Sequence, residues 1–343
     1  MDQQFTMPAC APHASPAPEL PAFPPPPPAS YRAQVLAQIQ DLLAPLQPIF
    51  ADEAVTEIMV NGPDQVFYTR EGIDARWPVR LGSAAIRAAI TLAASYVDRE
   101  VGERAGRLIL SARLPGFRLE AILPPVAVNG PSLCIRRHCA GIHPLEHYVA
   151  QGVVTEHHAK VLHRAIAERG NLLIVGATGS GKTTLMNTVL TLIPPQERLF
   201  VIETVHELQV SGPNHVLVEC DEAAGVTPRL AVRTGMRYAP RRIIVGELRG
   251  PEAFDWLDAA NTGHPGSAAT LHANSAAEAL PRLENLVLMA GLDLPYLALK
   301  AAIGRTVQWL FFIERVGPQR RLTQALRLHG WDRTRDEYIL EPA

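Results

Sequence analysis

Apolar and polar positions fall into two rhythms along this chain. In its first part, short strand-like runs are mixed with helical spacing. Residues 31–43 place Val35, Leu36, Ile39, Leu42 and Leu43 on one helical face, which predicts an amphipathic helix. Residues 57–63 read as a strand running into a turn, with 65–69 as its hairpin partner. Ser83 can cap a helix through about Val97, and 107–111, 118–123 and 132–136 are further short strands. This mixture predicts a small α+β domain over 31–138, followed by a linker at 139–154.

From 155 onward, strand and helix alternate. Thr155 caps a helix to Glu168, and Leu172, Leu173, Ile174 and Val175 form a buried strand. Residues 199–203, 243–247 and 268–271 are three more strands. Thr227 followed by Pro228 opens a helix to about Tyr238. Ser275 and Glu278 form a capping box before Leu280, Leu283, Leu286 and Val287. Repeated strand–helix units predict an α/β domain over 155–343, with a mostly parallel sheet covered on both faces.

Composition adds limits. The chain has 343 residues, 47% of them hydrophobic and 19% charged, enough for two packed domains. A net charge of −2 argues against a protein held to nucleic acid by bulk charge. Ten of the thirty prolines fall in the first 28 residues, so 1–30 is expected to be an extended, disordered tail. No signal-peptide pattern opens the chain, and the most apolar stretch, 292–312, contains Asp293, Pro295, Lys300 and Arg305. A cytoplasmic protein with reduced thiols is expected; Cys10, Cys134, Cys139 and Cys220 form no Cys-x-x-Cys pair.

The chemistry centres on Gly176-Ala177-Thr178-Gly179-Ser180-Gly181-Lys182-Thr183, directly after the buried strand. Gly176, Gly179 and Gly181 let the main chain curl around a phosphate, with its N–H groups and a helix N-terminus aimed at one point. Lys182 would reach the β- and γ-phosphates of ATP, and Thr183 would offer a hydroxyl to Mg²⁺; Thr184 completes the nucleotide-binding set. A second strand ends in Gly246-Glu247, and Glu247 is a candidate to orient and polarise the attacking water. The Mg²⁺-binding aspartate usual before it is replaced by Gly246. Glu203 and Glu207, at another strand end, are candidates to hold metal-bound waters or position the nucleophile, or else are solvated turn acids. His264 and His272 stand eight residues apart, which matches no common metal spacing, and could contact or sense the γ-phosphate.

In this order and spacing, the phosphate loop, the Ile202-Glu203 segment, Gly246-Glu247-Leu248-Arg249-Gly250, and the Gly263-His264 to His272-Ala273-Asn274 block resemble the secretion and traffic ATPases. The resemblance covers about 52–340. Residues 55–61 and 328–332 look most like the TrbB branch, the conjugative-transfer ATPases of type IV secretion systems. It implies a RecA-like ATPase domain with a smaller N-terminal domain swinging against it, a homo-hexameric ring, and docking on inner-membrane components of the secretion apparatus. Arg136 and Arg137 match the family segment that reaches the nucleotide on closure, with Arg113 and Arg118 as further candidates, within the chain or across a subunit boundary. Two acids usual in the family are absent: Thr204 follows Glu203, and Arg241 follows Ala239-Pro240. Open alternatives are a pilus or Tad-type secretion motor, and a nucleotide-gated scaffold with little turnover.

Overall fold

The computed structural model describes residues 29–137, 142–317 and 319–343. Residues 1–28, Cys139 and the start of the expected linker lie outside the described residues. Helix α1 (Ala29–Leu42) and a short turn of 3-10 helix lead to α2 (Gln47–Ala51). A meander follows: β1 (Val55–Val60), β2 (Val66–Arg70) and β3 (Ile73–Trp77). Helix α3 (Ser83–Tyr96) precedes β4 (Ile109–Leu114), β5 (Phe117–Ile122) and β6 (Ser132–Arg137). The six strands form one sheet in the order β3-β2-β1-β6-β5-β4, with every neighbouring pair antiparallel. Val35, Ile39 and Leu43 share a core with Ile86, Ala89, Ile90 and Ala93 of α3, and with Ile58, Val60, Leu119 and Ile135 of the sheet. Helical spacing thus meets strand alternation across a single apolar layer.

Three expectations shift here. Ser83 does not cap α3: Gly82 holds the cap position without a side-chain hydrogen bond, and Ser83 begins the helix. β3 is an edge strand that the sequence pattern does not announce, and Ile73 at its start is solvent-exposed. Within the expected linker, Leu145–Ala150 forms α4.

The second sheet begins after α5 (Glu156–Ala167), which Thr155 caps by accepting the His158 N–H at 3.0 Å. In order come β7 (Leu172–Val175), α6 (Lys182–Thr191), β8 (Leu199–Glu203), β9 (His215–Glu219) and α7 (Pro228–Gly235). They are followed by β10 (Arg242–Leu248), α8 (Glu252–Asn261), β11 (Ala268–Leu271), α9 (Ala279–Leu288) and α10 (Tyr296–Thr306). The chain closes with β12 (Trp309–Val316), β13 (Gln319–Asp332) and β14 (Glu337–Pro342). Thr227 caps α7, which stops at Gly235, short of Tyr238; a Cβ on Gly235 would lie 2.7 Å from the Phe200 ring. Ser275 accepts the Glu278 N–H at 3.1 Å, but α9 starts only after that turn.

The eight strands run β14-β13-β12-β7-β11-β10-β8-β9. Neighbours from β12 to β9 are parallel, and β13 and β14 add an antiparallel margin. Burial on both faces is visible residue by residue. Leu173, Val175, Phe200, Ile202, Ile243 and Val245 enter one core, while Leu172, Ile174, Leu199, Val201 and Ile244 enter the other. A strand buried on both sides reads as an unbroken apolar run for this reason. Among the described residues no helix is long and apolar enough to cross a membrane.

Asn171, just before β7, ties the base of this sheet together. Its amide donates to the carbonyls of Ala260 and Thr306 at 3.2 and 2.7 Å, and its oxygen accepts the N–H groups of Gly266 and Ser267 at 2.9 and 3.0 Å. Asn171→Ala leaves these buried backbone groups unpaired. We expect it to lower unfolding free energy by about 3 kcal/mol in urea titrations; a loss below about 0.5 kcal/mol would contradict this account.

Candidate functional site

Parallel strands direct their carboxyl ends to one edge of the sheet, and there the loop after β7 turns back into α6. Gly176 donates its N–H to the Leu271 carbonyl at 3.2 Å, and a Cβ on it would overlap the Ile313 carbonyl and the Ser180 hydroxyl. Gly179 and Gly181 take φ of 74° and 103°, a region that side chains disfavour. Gly181 is the N-cap of α6 and supplies no side-chain acceptor, so the first N–H groups of the helix stay available to an anion.

Above this loop lies a cavity of about 260 Å³. Thr178, Gly179, Gly181, Lys182, Thr183 and Thr184 line it. Gly176, Ala177 and Ser180 build the loop from beneath: Ala177 accepts a hydrogen bond from Lys182 Nζ at 2.9 Å, and Ser180 Oγ is buried without a partner. From the other strand ends come Glu207, Glu247 and His272.

These groups form a chain. Lys182 Nζ lies 3.1 Å from His272 Nδ1, and His272 Nε2 lies 2.5 Å from Glu247 Oε1. An ammonium only donates, so Nδ1 accepts and the ring proton sits on Nε2; Glu247 Oε1 lies close to it but makes no hydrogen bond. Burial and the neighbouring Lys182 hold the His272 pKa below its usual value, against the pull of Glu247, which fits this neutral ring. Burial also brings Lys182 down to about 8; Glu247 opposes the shift, while Arg136 and Arg249 add to it. Arg249 donates to Glu247 Oε2 through Nε at 2.8 Å and Nη2 at 2.5 Å.

Glu203 lies outside the cavity. It is 6% exposed, and both its oxygens hold the turn that follows β8. Oε1 accepts the N–H groups of Glu207 and Leu208 at 3.0 Å each, and Oε2 lies 3.0 Å from His206 Nδ1. Burial raises the Glu203 pKa despite these donors. The structure thus places Glu203 in the turn that carries Glu207 to the cavity, not in the cavity itself. Asn187 of α6 clips the same turn, donating to the Glu207 carbonyl at 3.2 Å and accepting the Gln209 N–H at 2.8 Å. Gly246 is explained as well, because a Cβ there would stand 2.8 Å from Glu203 Cγ.

His264 does not reach the cavity. It precedes β11, and in a parallel sheet the start of a strand lies at the edge opposite its carboxyl end. Its Nδ1 lies 3.0 Å from the Pro240 carbonyl, and its own carbonyl accepts from Ser267 Oγ at 2.7 Å, which makes it a loop-fixing residue. Arg241 sits at the same far edge, where its N–H meets the Arg198 carbonyl at 2.7 Å. Thr204 faces a neighbouring cavity with Arg99, Arg113, Arg118 and Glu219.

The first sheet supplies the opposite wall. Arg113 of β4 is directly paired with Arg118 of β5, which is paired with Arg136 of β6, which is paired with Glu57 of β1. Cross-strand partners share a face, so three arginines form one row along the cavity. Arg118 is held by Glu120 at 2.7 Å, Arg136 lies 3.4 Å from Glu57, and Arg113 has no ion-pair or hydrogen-bond partner among the described residues. Arg137 follows Arg136 in the strand and turns to the other face. It contributes to the cavity lining, but its guanidinium donates to the carbonyls of Phe50, Asp52 and Val55 and lies 5.1 Å from the Phe117 ring centroid. Its guanidinium donors are thus committed to the first domain. Arg99 joins the two sheets through Asp221 at 2.6 Å.

Thr183 at the helix start, with Glu207 and Glu247 near it, offers the hard oxygen donors that suit Mg²⁺. Sequence reasoning missed Asn187, Thr270, Arg249 and Arg320, all of which line the cavity. Only Arg249, two residues from Glu247, carried a local signal.

The family model described as type II/IV secretion system protein matches residues 40–311. The chain is 36% identical over 304 residues to the conjugal transfer protein TrbB of Rhizobium radiobacter, across 87% of this chain and 91% of that protein. It is 34% identical over 311 residues to the type IV secretion system protein PtlH of Bordetella pertussis, across 81% of this chain and 91% of that one. The solved structure of the Legionella pneumophila ATPase DotB shares the fold, with a TM-score of 0.57 at 21% identity over 90% of this chain and 82% of that one. The chain therefore belongs to the type II/IV secretion system protein family, on its TrbB branch.

Proposed function

We propose that this chain is an ATP-hydrolysing motor of a conjugative type IV secretion system, driving pilus assembly or substrate transfer. One observation carries the reading: a phosphate loop whose lysine is linked through His272 to Glu247, facing a row of arginines from a second sheet. The relatives named as conjugal transfer and type IV secretion proteins support the biological setting.

The loop N–H groups and Lys182 bind the triphosphate. Mg²⁺, held by Thr183 and through water by Glu207, would screen the phosphate charge. Glu247 orients the attacking water, and Arg136 with Arg113 neutralises charge that builds on the γ-phosphate oxygens. Residues 31–138 and 155–343 act as two domains, and nucleotide favours their closure because the phosphates are gripped from both sides. The working unit is a homo-hexamer docked on inner-membrane components, without sequence-specific nucleic-acid binding. Thr204 lies outside the cavity lining, so its replacement of an acid leaves the hydrolytic groups in place.

Lys182→Ala should reduce phosphate release to background while leaving circular dichroism and melting temperature close to the parent's. Sustained turnover in that variant would remove the assignment. Glu247→Gln should bind ATP within a few-fold of the parent and lower kcat by about 100-fold or more; undiminished single-turnover hydrolysis would exclude Glu247 from catalysis.

The lowered pKa of Lys182 predicts a pH dependence. Below about 8 the free protein already carries the ammonium that phosphate needs, so affinity is flat. Above about 8 the proton must be taken up on binding, and affinity should fall by up to about tenfold per pH unit. Titration of fluorescent ADP from about pH 7 to about pH 9.5 reads this, and a flat profile would refute it.

A further inference from the structure

The hairpin of β12 and β13 places two arginines where neither the fold nor the chemistry above requires them. Arg315 and Arg320 are directly opposed across the two strands. Like charges in opposed register destabilise a sheet unless something neutralises them. Neither side chain has an ion-pair or hydrogen-bond partner among the described residues. Their contacts separate them. The Arg315 guanidinium lies over Gly72 in the turn between β2 and β3, where a Cβ would overlap it. The Arg320 stem crosses the phosphate loop instead: a Cβ on Gly181 would lie 3.0 Å from its Cδ and 3.7 Å from its Nε. Arg320 lines the same cavity as Lys182 and Thr183.

We infer that Arg320 is a nucleotide-binding residue that holds the α- and β-phosphates, a reading that rests on the cavity being the ATP site. Position selects those phosphates. Gly181 is the N-cap of α6, and the loop N–H groups around it cradle the α- and β-phosphates, while Lys182 reaches toward the γ-phosphate. A guanidinium whose stem rests on Gly181 stands beside that cradle. Arg136 and Arg113 belong to the other sheet and face the cavity from across it. Arg320 therefore serves a part of the ligand that ADP and ATP share, and its free donors match phosphate oxygens in number and planarity.

The test uses the full chain with fluorescent ADP and ATP, comparing the parent with Arg320→Met, which keeps the stem, and Arg320→Lys, which keeps the charge. Arg320→Met should weaken both nucleotides by the same factor, about tenfold. KM should rise with kcat nearly unchanged, because the contact persists in ground and transition states alike. Arg320→Lys should recover part of the lost affinity. ADP affinity unchanged in Arg320→Met overturns the inference, as does a loss confined to ATP. Equal losses in the Met and Lys variants overturn it too, since they point to loop packing. A parent that binds neither nucleotide overturns the ATP site itself, a result separable from the others because it precedes any substitution at Arg320.

Discussion

Seven cationic side chains, six arginines and Lys182, line a cavity that holds only Glu207 and Glu247 as acids. Two like charges at 4 Å repel by about 1 kcal/mol in water and about 4 kcal/mol near a protein surface, so such a cluster has to be held together by its surroundings. Arg137 is fixed by three backbone carbonyls, Arg118 by Glu120 and Arg249 by Glu247. Arg136 has a looser contact with Glu57, and Arg113 and Arg320 have none among the described residues. The cations thus divide into those that hold the walls and those left for a ligand. A polyphosphate supplies the missing negative charge, and affinity for it follows from repulsion already present in the protein.

The acids divide in a similar way, by burial. Glu203 gives up its solvent and spends both oxygens on main-chain N–H groups and His206. It also fills the space above Gly246, where a Cβ would meet its Cγ. What it gains is a fixed turn that delivers Glu207. Glu247, one residue beyond Gly246 at the end of β10, keeps its carboxylate at the cavity. A buried acid with satisfied oxygens builds geometry, whereas one facing a cavity among cations is available for chemistry.

Local patterns in the sequence carried most of this architecture. The unbroken run of β7, the caps at Thr155 and Thr227, and the helical face of α1 were legible because each depends on neighbours within a turn or a strand. The phosphate loop was legible because its glycines are demanded by its own main chain and by what packs on it. What escaped was set by distance. Strands β3, β9, β13 and β14 lie at or near sheet margins, where weak burial erases the apolar run. His264 resembles His272 in a motif, yet one precedes β11 and the other follows it, which sends them to opposite edges. Adjacent Arg136 and Arg137 look interchangeable until strand alternation turns one toward the core layer of Phe50 and Phe117. No spacing rule relates Arg113, Arg118 and Arg136; only the register of three strands makes them a row.

The same register argument bears on how the site can rest and act. Lys182, His272 and Glu247 come from α6, from the residue after β11 and from β10, and they meet only because parallel strands end together. In this arrangement Glu247 Oε2 accepts two hydrogen bonds from Arg249, Oε1 lies against His272 without a hydrogen bond, and Lys182 is shared between Ala177 and His272. Arg249 occupies Oε2 with two hydrogen bonds, so that oxygen is not free to accept from a water. Phosphate oxygens in the loop would compete for Arg249, the donor that now holds Glu247. A nucleotide in the phosphate loop would therefore act on Glu247 through Arg249, whose guanidinium holds its Oε2.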